Sequence, residues 1–260
     1  KNDLSISKIP SFESTESLYP LNSYVSDDFY GILTDSLGQW DQDFNSFSPM
    51  EIGIGRIPAK SIAEAEMMVN KLIEGQKHPN HQLTFVADDE DSNIHIIDSE
   101  SFSKKISDNM PEIPIQKLYI DEFPMKQLNG IYTSPEANKK LVDLFYKDAG
   151  FIHFMGHGSE SGWTDEKILT INDIVALKNK NNLPILFTAT CQFAKFDNPY
   201  ILSGAEALLC SDTGGSQAII GTSRPVFQSN NFTFGNNFYE LAAQHKSEKN
   251  YKIGDLVKDT

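Results

Sequence analysis

Residues 151–163, FIHFMGHGSESGW, form the stretch that decides the fold. Five residues of mainly apolar character, a length typical of a buried strand, lead directly into a Gly-His-Gly turn centred on His157. Two other stretches have the same form: Leu83–Ala87 (LTFVA) leads into four acidic residues, and Ile185–Ala189 (ILFTA) leads into a loop with Cys191. Three predicted strands therefore end in loops that carry chemically reactive side chains.

Strands of this kind alternate with helices along the chain. Capping residues, terminal glycines and apolar residues at helical spacing predict helices at 61–75, 135–147, 204–211 and 233–245. The predicted strands cover residues 51–57, 83–87, 115–119, 151–155, 185–189 and 217–221. This alternation indicates an α/β fold with a mainly parallel sheet flanked by helices. The polar segment after the first helix predicts two subdomains, an N-terminal one at 1–78 and a catalytic one at 79–260.

The reactive loops are expected to meet if the three strands are neighbours. The carboxyl ends of parallel strands share one edge of the sheet, where open α/β proteins bind their ligands. A thiol, an imidazole and a carboxylate at that edge match a nucleophile, an acid–base group and an orienting group. This predicts Cys191 as the nucleophile and His157 as its acid–base partner. The N–H groups of Gly158 and Cys191 are the predicted donors to a developing oxyanion.

A non-catalytic interpretation exists for both residues. A cysteine after an apolar strand is more often a core residue than a nucleophile, and Cys210, on a predicted amphipathic helix, fits that description. A single histidine is usually a surface or core residue as well. The glycines on both sides of His157, together with Cys191 at a strand end, favour the catalytic interpretation.

Two possible metal sites follow from residue spacing. His153 and His157 are spaced like zinc ligands on a helix, but their apolar, glycine-flanked setting predicts a strand, which excludes that site. The stretch from Asp89 to Glu100 spaces its carboxylates like an EF-hand loop, but it has no central glycine and follows a strand. An irregular structural calcium site with Asp89 and Asp91 as candidate ligands stays open, and the predicted chemistry itself requires no cofactor.

Composition limits the classes of function. In 260 residues, 39% are hydrophobic and 22% are charged, as in soluble globular proteins. A net charge of −14 argues against nucleic-acid binding, which needs clustered Lys and Arg. Two cysteines exclude a disulfide framework, and no apolar run approaches the ~20 residues that span a bilayer. The first residue is not Met and the last residues read as part of a helix, so we expect a piece of a longer chain.

The segments around the reactive residues resemble the gingipain-type cysteine peptidases, members of the caspase-like clan. GHGSESGW at 156–163 is followed by TATCQFAKFDNP at 188–199, with Cys191 lying 34 positions after His157. IGIGRIPAKS at 52–61, SGAEALL at 203–209 and GGSQAIIGTSRPVF at 214–227 are most similar to the subgroup of C-terminal signal peptidases of the type IX secretion system. The resemblance extends from about residue 19 to about residue 239.

This resemblance implies a caspase-like fold of two subdomains and a third catalytic residue, Glu90. The carboxylates at 88, 89 and 91 leave that assignment open by one position. Arginine-specific members of the family place an Asp shortly after this point, where Ser92 or Asn93 stands here, which argues against a requirement for a basic P1 residue. The specificity pocket implied by the fold is lined by the 222–227 loop and the region of one tryptophan, with these substrate contacts: Trp163, Ser223, Arg224 and Phe227.

The resemblance also implies a function and a location. The implied enzyme is a sortase-like endopeptidase or transpeptidase that removes C-terminal sorting signals from secreted proteins through an acyl-enzyme on Cys191. Its expected partners are protein or peptide substrates, an amine of a surface lipopolysaccharide as acceptor, and proteins of the secretion complex, at the extracellular face of the outer membrane. The alternatives are a general gingipain-like secreted endoprotease and a non-catalytic module that binds the sorting signal.

Overall fold

The fold is taken from a computed structural model that describes residues 9–14, 20–21, 23–34, 50–75, 81–128, 130–147 and 150–260. The strands in these residues are β1 Phe12–Glu13, β2 Val25–Ser26, β3 Leu83–Ala87, β4 Ile115–Tyr119, β5 Lys126–Leu128, β6 Ile131–Thr133, β7 Phe151–Met155, β8 Gly158–Ser159, β9 Gly162–Trp163, β10 Leu169–Thr170, β11 Ile185–Ala189 and β12 Ala218–Gly221. The helices are α1 Ile62–Gly75, α2 Glu90–Asn109, α3 Pro135–Tyr146, α4 Ile171–Ala176, α5 Gly204–Leu209, α6 Gln228–Gln244 and α7 Ile253–Asp259.

A five-stranded sheet with the order β12-β11-β7-β3-β4 forms the centre of the fold. All of its neighbouring strands pair in parallel. The mainly parallel α/β fold that the sequence predicts is therefore confirmed. The three strands with reactive loops, β3, β7 and β11, are adjacent in the sheet.

Helices cover both faces of this sheet because its strands place apolar side chains on both sides. On one face Phe154 packs in a cluster with Leu141 of α3 and with residues of α4 and α5. On the other face Phe85 packs with Phe102 of α2 and Phe238 of α6. Burial of each such side chain contributes about 1.5–3 kcal/mol to folding, so packing on both faces stabilises the sheet.

The predicted elements agree with the structure apart from their ends and two segments. The strands at 83–87, 115–119, 151–155 and 185–189 have the predicted bounds, β12 begins one residue late, and α6 begins five residues early. The prediction of a strand at 51–57 is wrong, because these residues form no strand. There the Glu51 carboxylate accepts hydrogen bonds from Leu33 N and Thr34 N, and Arg56 binds Asp27. Residues 51–57 are thus held by side-chain bonds to the 27–34 region and not by backbone pairing with another strand.

Helix α2 was not predicted from the sequence, which favoured a loop after β3. The helix buries Phe102 and Ile106, but the other buried positions on the same face are polar, including His95 and Ser99. Apolar periodicity is therefore weak. Residues 91–93 near its start have left-handed backbone angles, with φ between 54° and 63°.

The boundary predicted between residues 78 and 79 lies outside the described residues, so the division into two subdomains stays a prediction. Helix α1 before it is tied to the rest of the protein by Lys71, whose ammonium donates to the carbonyls of Leu208, Leu209 and Ser211. Both cysteines are free thiols. Within the described ranges, the search for a helix with the length and apolarity to cross a membrane finds none.

Candidate active site

The sheet register brings the three reactive loops to one edge. Met155 at the end of β7 pairs with Ala189 of β11 on one side and with Ala87 of β3 on the other. His157 and Cys191 each lie two residues beyond these paired positions, on strands that are ~4.8 Å apart. The register thus places the acid, the imidazole and the thiol at the same edge of the sheet.

Asp88 anchors the loop that carries His157. Its carboxylate is fully buried and accepts a 2.8 Å hydrogen bond from the His157 N–H. A side chain at Gly156 would collide with Asp88, so the loop can approach this carboxylate only with glycine at that position. Burial raises the pKa of Asp88 to about 6, against the opposing effect of the His157 N–H.

The imidazole of His157 is held by the beginning of α2. Asp91 Oδ2 accepts a 2.8 Å hydrogen bond from Nε2, whereas Glu90 Oε2 lies 3.7 Å from the same nitrogen. The left-handed conformation of residues 91–93 places Asp91 rather than Glu90 in contact with the ring. The sequence left the third acid open by one position; in the structure Asp91 is the hydrogen-bond partner of His157, and Glu90 lies beside it.

The carboxylates around His157 favour the protonated imidazole. Partial burial lowers the pKa of His157, but the hydrogen bond that its ring donates to Asp91 and the charges of Asp88, Asp91 and Glu90 outweigh this effect and raise the pKa overall. A raised pKa keeps more of the ring protonated near neutral pH, which suits a general acid for a leaving amine.

Cys191 lies on a tight turn fixed by the 222–227 loop. Its Sγ accepts a 3.4 Å hydrogen bond from Val226 N and lies 3.7 Å from Val226 O. The next residue, Gln192, has a left-handed backbone (φ 60°), and its N–H donates to the Thr222 hydroxyl at 3.2 Å. These contacts fix the Cys191 turn against the 222–227 loop, and Cys191 itself is half-buried.

The predicted oxyanion donors lie on both sides of the space between the two loops. A Cβ at Gly158 would lie 2.5 Å from Thr190 Oγ1, so only glycine lets β8 approach the turn before Cys191. Among the residues that the structure describes, the Cys191 N–H has no hydrogen-bond acceptor. That amide is therefore available for an oxygen that develops negative charge.

Two of the four predicted substrate contacts lie on accessible parts of the 222–227 loop. Phe227, at the start of α6, has 61% of its surface exposed, and Ser223 is half-buried. Because Val226 contacts Cys191, this loop adjoins the nucleophile as the resemblance implies.

The other two predicted substrate contacts have partners within the protein. Trp163 is fully buried and stacks on Phe154 with ring centroids 4.3 Å apart, because the β8–β9 hairpin folds it onto the core. Arg224 forms a two-fold ion pair with Asp197 (3.0 and 2.6 Å) and donates to the Ser23 hydroxyl. These bonds hold the 222–227 loop to two other loops, and contact of Trp163 and Arg224 with a substrate stays a prediction.

His153 and His95 differ in their surroundings. His153 is fully buried, shares a 2.8 Å hydrogen bond with the Tyr239 hydroxyl and has a pKa lowered to about 3 by burial, so it is a neutral core residue. His95 of α2, which sequence reasoning missed, lies edge-on to His157 with ring centroids 5.3 Å apart. Its spacing of four residues from Asp91 on a helix is the signal that could have found it.

The calcium site with Asp89 and Asp91 as ligands stays a prediction. Asp91 Oδ2 accepts a hydrogen bond from His157 Nε2. Within the described ranges, three potential metal ligands do lie together, but they are Asp88, His95 and His157.

A cavity of about 1110 Å³ lies at the opposite end of the sheet. It is lined by residues at the amino ends of the strands, including Gly150, Ile185 and Ala218. We place the active site at the carboxyl edge, because the thiol and the imidazole are there.

Comparisons with known proteins agree with this geometry. The sequence profile of peptidase family C25 matches residues 1–260. A solved structure titled "Structure of Protease" is similar to this chain with a TM-score of 0.52 and 16% identity, which is a likeness of fold. That similarity covers 73% of this chain and 43% of the other, so this chain spans less than half of the protein it matches. No curated protein sequence matches the chain. The match to the family covers every residue, and the chain belongs to peptidase family C25, the gingipain family of cysteine peptidases.

Proposed function

We propose that the chain is the catalytic part of a cysteine endopeptidase in which Cys191 is the nucleophile and His157 the acid–base residue. The observation that carries this proposal is the hydrogen bond that His157 Nε2 donates to Asp91 Oδ2, at the sheet edge that also carries Cys191. A thiol, an imidazole and a carboxylate that orients the imidazole make up the unit needed for acyl transfer.

Acylation uses all of these groups. The Cys191 sulfur attacks the scissile carbonyl carbon, and its proton resides on His157. The N–H groups of Gly158 and Cys191 donate to the oxyanion, a contribution that is worth about 2.7–4 kcal/mol per donor in other peptidases. His157 then passes the proton to the leaving amine as the C–N bond breaks, and Asp91 holds the ring in place.

Deacylation reverses the role of His157. The neutral imidazole takes a proton from the incoming nucleophile, which attacks the thioester, and the thiol of Cys191 is restored. Water as nucleophile gives hydrolysis, and an amine gives a new amide bond.

The proposed substrates are secreted proteins that carry a C-terminal sorting signal, and the proposed acceptor is an amine of a surface lipopolysaccharide. The support is the similarity of the segments at 52–61, 203–209 and 214–227 to the signal peptidases of the type IX secretion system. The same similarity supports an extracellular location at the outer membrane and partners in the secretion complex.

The experiment combines a peptide that ends in a sorting signal with a free amine and identifies the products by mass spectrometry. We expect cleavage by the wild-type protein and by Cys210→Ala, the matched control for the second cysteine. Cys191→Ala and His157→Ala are expected to abolish cleavage, and the double variant to be little worse than either one, because the two residues act as a unit.

Each outcome has a definite meaning. Cleavage that survives in Cys191→Ala contradicts the proposed nucleophile. A product joined to the added amine supports transpeptidation, and a free carboxylate alone supports hydrolysis. A wild-type protein that binds the peptide without cleaving it would favour the non-catalytic signal-binding module.

A further inference from the structure

His95 is buried in a way that the proposed reaction does not explain. Only 5% of its surface is exposed, and both ring nitrogens are buried without a hydrogen-bond partner among the described residues. Its nearest carboxylate oxygen, Asp91 Oδ2, lies 3.8 Å from Nε2, beyond hydrogen-bonding distance. A buried polar group without a partner costs about 1–3 kcal/mol, so a ligand that satisfies it is favoured.

The unpartnered ring lies in a cluster of potential metal ligands. One atom each from Asp88, His95 and His157 lie within 4.8 Å of one another. Asp88 is fully buried and His95 nearly so, so two of the three groups are held by the surrounding core. In a tetrahedral zinc site with ~2.0–2.1 Å bonds, ligand atoms lie roughly 3.3 Å apart, and modest rotation of the more exposed His157 closes the difference.

We propose that Asp88, His95 and His157 bind a single zinc ion or a similar transition-metal ion. Two imidazoles and one carboxylate are the ligand types that zinc takes, whereas calcium and magnesium take oxygen ligands. A solvent molecule completes the fourth position, as in other three-ligand sites.

Metal binding at this position switches the peptidase off, a consequence that rests on the proposed function. The metal takes a lone pair of the His157 ring, and a metal-bound ring cannot carry the proton from Cys191 to the leaving amine. Removal of the metal restores the free dyad. The site therefore makes the activity dependent on the concentration of free metal.

The binding experiment uses the tag-free Cys191→Ala protein, which excludes the thiol as a ligand and needs no activity. Zn²⁺ binding is measured by calorimetry, and Co²⁺ is added as a spectroscopic probe because tetrahedral Co²⁺ has intense visible absorption bands. We expect one equivalent to bind, and we expect His95→Ala and His95→Asn to weaken binding by more than about tenfold, since loss of even an outer-shell partner costs 10–100-fold. His81→Ala, at an exposed histidine, is the matched control and should bind normally.

The activity experiment is separate. In the wild-type protein, Zn²⁺ should inhibit cleavage reversibly, and a chelator should restore it. In His95→Asn, the same Zn²⁺ concentration should remove a smaller fraction of that variant's own metal-free activity. Thermal melting of each variant checks that it is folded. Absence of stoichiometric binding overturns the metal site. So does binding by the His95 variants that is as tight as in the protein with His95 intact. One equivalent bound without inhibition overturns the switch and leaves the site, and a protein that binds metal but never cleaves peptides contradicts the proposed function instead.

Discussion

Replacing Asp91 with Asn tests which carboxylate orients His157. The substitution removes the negative charge closest to the ring but keeps an oxygen that can accept the same hydrogen bond. Asp91 Oδ2 lies 2.8 Å from Nε2, and the two side chains are 60% and 46% exposed. A partly exposed ion pair of this kind contributes at most about 1 kcal/mol. Because one pKa unit corresponds to 1.36 kcal/mol, loss of the pair in Asp91→Asn lowers the pKa of His157 by up to about 0.7.

Glu90→Gln is the matched control for this prediction. Glu90 Oε2 lies 3.7 Å from Nε2, and no hydrogen bond joins the two groups. Since only a longer-range charge is lost, we expect the pKa of His157 to fall by less than in Asp91→Asn.

The pKa is measured by NMR titration of the His157 ring protons in the Cys191→Ala background, with the signal assigned by its loss in His157→Ala. In the active protein, the alkaline limb of kcat/KM, where His157 loses its proton, should move to lower pH by the same amount. A larger shift in Glu90→Gln than in Asp91→Asn would refute the assignment of Asp91, and no shift in either variant would refute the contact itself.

Three other predictions concern stability and specificity. The pKa of Asp88 is raised to about 6 from 3.8, so the folded protein holds this proton more tightly than the unfolded chain and loses stability as pH rises through this window. Urea unfolding with a chelator present measures the difference in unfolding free energy between Asp88→Asn and wild type. Between about pH 4 and pH 7 this difference should shift in favour of Asp88→Asn by up to about 3 kcal/mol. A difference that does not change with pH would count against this prediction. Arg224→Lys loses the two-fold bond to Asp197, so we expect about 1–3 kcal/mol lower stability and a lower kcat/KM, and unchanged values of both would show that the pair does not support the Cys191 loop. Peptide-library profiling should give small or polar P1 residues, because Asp91 and Asp197 are both engaged within the protein; strong enrichment of Arg or Lys would overturn this expectation.

The sequence was sufficient for the centre of the fold. Strands such as Phe151–Met155 are buried on both faces, so they appear as short apolar runs whose type and length are readable without a structure. Their loops carried the residues for chemistry, and parallel pairing alone was enough to predict that His157 and Cys191 meet.

The rest depended on features that a linear pattern does not contain. The left-handed backbone of residues 91–93 decides which acid contacts His157. None of these residues is glycine, so the sequence does not indicate this conformation. Helix α2 stayed hidden because its buried face includes His95 and Ser99. The partners of Trp163 and Arg224, which are Phe154 and Asp197, are set by how the loops fold back onto the protein, and a linear pattern does not show this.

Site-resolved labelling of the thiols tests the central claim, that Cys191 is the reactive nucleophile, most directly. The native protein is treated with an electrophilic alkylating probe and analysed by intact mass and peptide mapping. Burial raises the pKa of Cys210 to about 11, so we expect one label, on Cys191, that forms more slowly in His157→Ala and is lost in Cys191→Ala. Two labels on the native protein, or a single label on Cys210, would contradict the account.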